Sequence, residues 1–278
     1  MAEETHSTPH AYFVRSGATE FTEGTRISYF TSTERATGSW QDDELHMAAV
    51  SGLVAAELEA YEPRENFTTS RISFDILGKL HAGEVKVTTR NIRPGRTIEL
   101  VQSTVEAQGR AVLTARTWRL ISSDTSRAHR LHDDTLLAPI DQCSPDAGFN
   151  KRWAGGLVAS IQSRAADDHA PGHGRIWANT EIPMILDEPT SPFVHAIGMI
   201  DIANGLAPAV EPYHDEVYFA NVDLSIHLMR EPSEDWLGMA TSVSLGDNGL
   251  GVTSTVLSDS KGYLGRAEQS LSVRDMRA

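Results

Sequence analysis

The run from Asn221 to Arg274, NVDLSIHLMREPSEDWLGMATSVSLGDNGLGVTSTVLSDSKGYLGRAEQSLSVR, allows few folds. Turn signals at Glu231-Pro232, Gly246-Asp247-Asn248-Gly249 and Ser260-Lys261-Gly262 divide it into four consecutive strands, and such short turns make them antiparallel. In the first strand Val222, Leu224, Ile226 and Leu228 alternate with Asp223, Ser225 and His227. The apolar set therefore faces a core, and a carboxylate is held on the other face. Ser244 near the end of the second strand and Gln269 in the middle of the fourth are the other small polar groups that could meet it.

A curved sheet needs something to wrap. The segment SWQDDELHMAAVSGLVAAELEAYEP supplies it: Ser39 and Asp42 match a helix-capping pattern, acids fill the first turn, and Tyr61-Glu62-Pro63 stops the helix. Leu45, Ala49, Leu53 and Ala56 recur at helical spacing, while Ala48, Ser51, Gly52 and Ala55 keep the rest of the circumference narrow. A strand at 25–30 precedes it, and four strand-like runs follow: TSRISFDIL, GEVKVTTRNI, RTIELVQSTVEA and RAVLTARTWRLIS.

At 124–150 the periodicity fails and Ser, His, Asp and Pro accumulate, which reads as a linker. His129, His132, Asp133 and Asp134 there have metal-ligand types but no regular spacing, so no metal is expected. Beyond it come strand signals at 156–162 and 175–183, then a helix opening at Ser191-Pro192 and closing at Asn204-Gly205, then the four strands described above. Asp201 and Asn204 share a face of that helix and read as C-terminal polarity and capping.

Strand, helix and four strands thus occur twice, and Val-x-Ser-Thr-Val appears at 101–105 and again at 252–256, 151 positions apart. The fold class is α+β, a double hotdog: two tandem units, each a long helix wrapped by a curved antiparallel sheet. Residues 1–123 form the first unit, with 1–10 a loose arm, and 151–278 the second. Shifting Asp223, Ser244 and Gln269 back through the repeat reaches Ile72, Arg93 and Arg116, none able to do the same work, so one site per chain is expected.

A formal charge of −14 argues against nucleic acid or an anionic membrane as the main partner. It leaves room for an anionic small ligand at a local basic mouth drawn from Arg90, Arg93, Arg96 and Arg266. The single cysteine, Cys143, excludes an intramolecular disulfide and a multi-cysteine metal site. The first residues carry no apolar signal-peptide core, and no run approaches 18 apolar residues, so a soluble cytoplasmic protein is expected. No Gly-x-Ser-x-Gly elbow, phosphate-binding P-loop or His-Glu-x-x-His is present.

The stretches N-V-D-L-S-I-H-L, W-L at 236–237, S-L-G-D-N-G-L-G and G-R-A-E-Q-S-L, with R-I-S-F-D-I-L and its R-P-G-R turn in the first half, resemble the type II (TesB-like) acyl-CoA thioesterases. The resemblance implies hydrolysis of an acyl-CoA to free acid and CoA, no cofactor, and a homo-oligomer, a dimer of double hotdogs. In that family an Asp, a Thr or Ser, and a Gln hold the attacking water; carried over, these fall on Asp223, Ser244 and Gln269. His46, Arg93 and Arg96 are the candidate substrate contacts. The Gly-Gly-Gln entrance to the first helix of better-known members is Ser39-Trp40-Gln41 here. The alternatives are a non-hydrolytic acyl-CoA or lipid-binding module, and an enoyl-CoA hydratase, whose Gly-Asp-x-Asn-Pro-x-His run Gly246-Asp247-Asn248-Gly249 lacks.

Overall fold

The computed structural model describes residues 9–41, 43–131, 137–146, 148–211, 214–233 and 236–277. Its first half runs β1 (Phe13–Arg15), β2 (Glu20–Thr22), β3 (Thr25–Ser32), α1 (Met47–Ala60), β4 (Phe67–Ile76), β5 (Glu84–Arg93), β6 (Ile98–Ala107) and β7 (Arg110–Ile121). The second runs β8 (Ser144–Pro145), α2 (Phe149–Arg152), α3 (Gly156–Ser160), β9 (Ile161–Ala165), β10 (His173–Thr180), α4 (Pro192–Ile200), α5 (Ala203–Leu206), β11 (Val217–Asn221), β12 (Asp223–Leu228), β13 (Leu237–Leu245), β14 (Leu250–Asp259) and β15 (Gly262–Asp275).

The five principal strands of the first half lie in the order β3-β5-β6-β7-β4, and those of the second in the corresponding order β10-β13-β14-β15-β12. Antiparallel pairing of β4 with β12, Phe74 opposite Leu224 and Ile72 opposite Ile226, joins them into one continuous sheet. Helices α1 and α4 pack together in its concavity. They cross at Gly52 and Gly198, where a Cβ on Gly52 would lie 3.0 Å from the Gly198 Cα and collide with the Met184 methyl. Ser51 Oγ donates to the Ile197 carbonyl across the same crossing at 2.9 Å. Nearly every residue of α1 is buried, because sheet and α4 together surround it, and so its apolar residues go all the way round.

Three local expectations are corrected. The first helix starts at Met47 with His46 as its cap, because Glu44 and Leu45 are held extended by bridges to His81 and Thr37; Ser39 Oγ instead donates to the Ala154 carbonyl, and Asp42 lies outside the described residues. The apolar run at 156–162 begins as α3, and only Ile161 onward is strand. Short apolar runs carry no period that separates the two states. Asn204-Gly205 sits inside α5, while α4 ends one turn earlier with Asp201 at its cap.

The repeat is real in element order, but the five-residue match is out of register. The Thr89–Ser103–Ala115 rung across β5, β6 and β7 corresponds to Thr241–Thr255–Ala267 across β13, β14 and β15, a displacement of 152 rather than 151. Each rung buries a hydroxyl pair, Thr89 with Ser103 at 2.9 Å and Thr241 with Thr255 at 3.1 Å. One residue of slip inverts every side chain. Val101 and Val105 accordingly face the helices, whereas Val252 is 48% exposed on the outside.

The chain just after the arm, and part of the linker, are tied down. Residues 1–8 lie outside the described set, but Tyr12 and Phe13 are buried, and Tyr12 Oη bonds Thr180 Oγ1 at 2.9 Å. Leu137 and Cys143 pack with Trp177, Ala240 and Val256 on the outer face of the sheet's second half, and Phe149 enters the main core.

Candidate active site

Helix α4 is set by Ser191, whose Oγ accepts the Val194 N–H at 3.1 Å, and by Pro192 in its first turn. It delivers Asp201 to the sheet's concave side, where the residue is 2% exposed. Two side-chain amides reach it: Asn221 Nδ2 donates to Asp201 Oδ1 at 2.8 Å, and Gln269 Nε2 donates to the same oxygen at 3.0 Å. The second oxygen, Oδ2, lies 3.5 Å from His46 Nδ1. Gln269 Oε1 is buried without a partner among the described residues.

A bulge brings Asn221 in. Strand β11 pairs Asn221 with Leu271, β12 pairs Ser225 with Glu268, and the two ladders are one residue out of step across Val222. Asn221 therefore faces inward and Val222 is 49% exposed, against the alternation expected from sequence.

That geometry separates the expected trio. In β15 the inward set is Ala267, Gln269 and Leu271; Asp223 shares the outward face with Ser225 and its partner Glu268, and its Oδ1 accepts the Ser270 N–H at 2.6 Å. Ser244 is exposed on β13 opposite Val252. Only Gln269 of the three points inward, where it meets Asp201. Arg93 and Arg96 flank the β5–β6 turn at the far end of α1, where Arg64 donates to the Gly95 and Arg96 carbonyls, so neither lines the cavity. A helix of 14 residues puts about 20 Å between that turn and His46. His46 does line it.

The cavity, about 510 Å³, lies between the N-terminus of α1, the C-terminal end of α4 and β11. Its aromatic wall is made by Trp40, Trp153 and Tyr218, with ring centroids 5.2 Å apart for Trp40–Trp153 and 4.5 Å for Trp40–Tyr218. Ser39 and Trp40, which stand where the resemblance led us to expect two glycines, are part of the lining, as is Gln41.

Burial pushes the Asp201 carboxyl up to about 6, its two amide donors opposing the shift, and pushes the His46 imidazole down to about 4. Near neutral pH the site thus holds an ionised carboxylate of raised basicity beside a neutral imidazole. Sequence reasoning missed Asn221 and set Asp201 aside as end-of-helix polarity, although a lone acid in the apolar run Gly198-Met-Ile-Asp-Ile-Ala is too costly to bury for that alone.

In the first half, Thr69 and Thr117 occupy the positions of Asn221 and Gln269, and the same bulge recurs in β4 between Thr69 and Arg71. The amide pair therefore occurs once. Among the described residues no group of three His, Cys, Asp or Glu is placed to hold a metal, and His132, Asp133 and Asp134 lie outside them. No helix among them is long and apolar enough to cross a membrane.

Family models for the acyl-CoA thioesterase N-terminal domain and C-terminal domain match residues 36–120 and 139–273. The chain belongs to the acyl-CoA thioesterase family. It is a thioester hydrolase by that membership, and solved structures agree on the hotdog fold. A putative thioesterase II from Thermobifida fusca YX superposes with a TM-score of 0.70 at 16% identity, covering 94% of this chain and 95% of that one. A hot dog fold protein of unknown function from Alicyclobacillus acidocaldarius gives 0.70 at 10%, covering 92% and 96%. An acyl-CoA thioesterase II, TesB2, from Mycobacterium marinum gives 0.63 at 14%, covering 93% and 95%. A search of curated protein sequences finds no match.

Proposed function

We propose that the chain is a double hotdog whose second unit hydrolyses an acyl-CoA with a water held by Asp201, Asn221 and Gln269. The observation that carries this is the convergence of two amide donors on one oxygen of a buried carboxylate, which leaves Asp201 Oδ2 and Gln269 Oε1 free to accept a water's protons. Asn221, as a donor to Asp201, takes the part that the resemblance gave to the hydroxyl of Ser244.

Asp201 removes a proton as the water oxygen bonds to the thioester carbonyl carbon. The tetrahedral intermediate then collapses with loss of the C–S bond, and the proton passes to the departing thiolate. A base with its pKa near the working pH suits that exchange, and such assistance is worth roughly 10²- to 10⁴-fold. His46 accepts the Ala48 N–H through Nδ1 at 3.1 Å and so fixes the start of α1. The Met47 N–H, first in the helix and on the cavity wall, has no intrahelical acceptor and is the donor for the developing oxyanion.

Thiol release from a panel of acyl-CoAs tests the reading, with Asp201→Asn as control. Turnover abolished by that substitution supports it; binding of acyl-CoA without turnover by the native protein sinks it and favours a non-hydrolytic module.

A further inference from the structure

The cavity reaches past the triad. Strand β11 pairs with β15 along one side and with no strand along the other among the described residues, and the cavity wraps over this open edge. Asp201 and Asn221 line it on the inner side; Tyr218, Ser272 and Arg274, which share the opposite face by register, line it on the outer side.

Four charged side chains line or border this outer mouth: Asp43, Glu44, Lys79 and Arg274. Lys79 is committed to Asp43 and, at 2.5 Å, to Gln41 Oε1. Burial raises the Glu44 carboxyl. The carboxylates beside Arg274 in the chain and across the strand are taken elsewhere: Asp275 accepts Arg277 Nε at 3.1 Å, and Glu216 lies 3.8 Å from the same atom. Arg274 is exposed and makes no hydrogen bond or ion pair among the described residues. A chain of formal charge −14 thus presents one uncommitted guanidinium at the rim of its cavity.

We propose that Arg274 is the anchor for the phosphate end of CoA. The proposal rests on the acyl-CoA reading and deepens it. Gln269 and Arg274 are five strand steps apart, about 17 Å of β15. A pantetheine arm of roughly thirteen bonds spans about 16 Å. A thioester carbon at Asp201 therefore places the first phosphate of CoA within reach of Arg274, the arm crossing the β11 edge beside Tyr218. The planar fork of donors on an arginine suits a phosphate oxygen pair. This anchor lies on the last strand, and none of Arg90, Arg93, Arg96 and Arg266 lines the cavity beside it.

Calorimetry of the full chain with CoA and with pantetheine separates anchor from bystander. Native protein should bind CoA about tenfold more tightly than pantetheine, the value of one charge-assisted contact at a partly exposed site. Arg274→Ala should abolish the difference while leaving pantetheine binding unchanged, Arg274→Lys should keep part of it, and added salt should weaken CoA alone. Equal affinity for both ligands in the native protein, no CoA binding, or equal losses for both ligands in Arg274→Ala would overturn the proposal. These measurements need no turnover, so a failed hydrolase reading shows separately, as absent thiol release.

Discussion

His46 Nδ1 lies 3.5 Å from Asp201 Oδ2 while accepting the Ala48 N–H. A nitrogen that accepts has no proton of its own to give, so His46 is the neutral Nε2–H tautomer and the proton that Asp201 gains in the reaction is shared with no stronger base. The pH dependence follows from the carboxyl. Activity should rise through a single ionisation near pH 6 and stay level above about pH 7, and the His46 ring should remain neutral down to about pH 4. A pH–rate profile and imidazole NMR check both; a limb near pH 6.5 belonging to the histidine would contradict them.

Asp201→Asn should cost activity and add stability. The folded carboxyl binds its proton more tightly than the unfolded one, about 6 against 3.8, so stability falls as pH rises from about 4 to 6 and remains lowered above that. The neutral amide removes the penalty, about 3 kcal/mol at pH 8. Denaturant melts at pH 8 and pH 4 should show a gain at the former and little change at the latter.

Asn221→Ala removes one of the two donors on Asp201 Oδ1, raises the carboxyl further and should move the activity midpoint above pH 6. Asn221→Thr restores a donor and should return most of the activity. A midpoint unmoved by Asn221→Ala would mean that this amide does not govern the carboxylate.

Much of the fold was legible in the sequence, because alternating strands and punctuating turns are local signals: β4 to β7 and β13 to β15 fall where the pattern put them. The site was half legible. Gln269 sits in a regular strand whose inward residues can be counted, but Asn221 is aimed by a bulge, and one extra residue inverts every later position in the count. Asp223 was attractive because it alternates with an apolar stripe; that same alternation puts it on the outside. The Val-x-Ser-Thr-Val match misled in the same way, since its second copy is displaced by one residue from the structural repeat. The cavity's tertiary origin hid Arg274, whose neighbours come from β11 and from the loop before α1.

Gly52→Ala should destabilise the fold. Its Cβ would meet the Met184 methyl and the Gly198 backbone at once, and overpacking of this kind costs about 1–3 kcal/mol. Adding Met184→Ala should recover only part of the loss, because the Gly198 Cα stays 3.0 Å away. Thermal melts of the single and double variants read this directly.

The most direct test sets Asp201→Asn beside Asp223→Asn in one thiol-release assay with a saturating acyl-CoA. The geometry predicts a loss of 10²-fold or more for Asp201→Asn and a rate within about twofold of native for Asp223→Asn, whose amide oxygen can still accept the Ser270 N–H. The reverse pattern, with Asp223→Asn inactive and Asp201→Asn unimpaired, would contradict it.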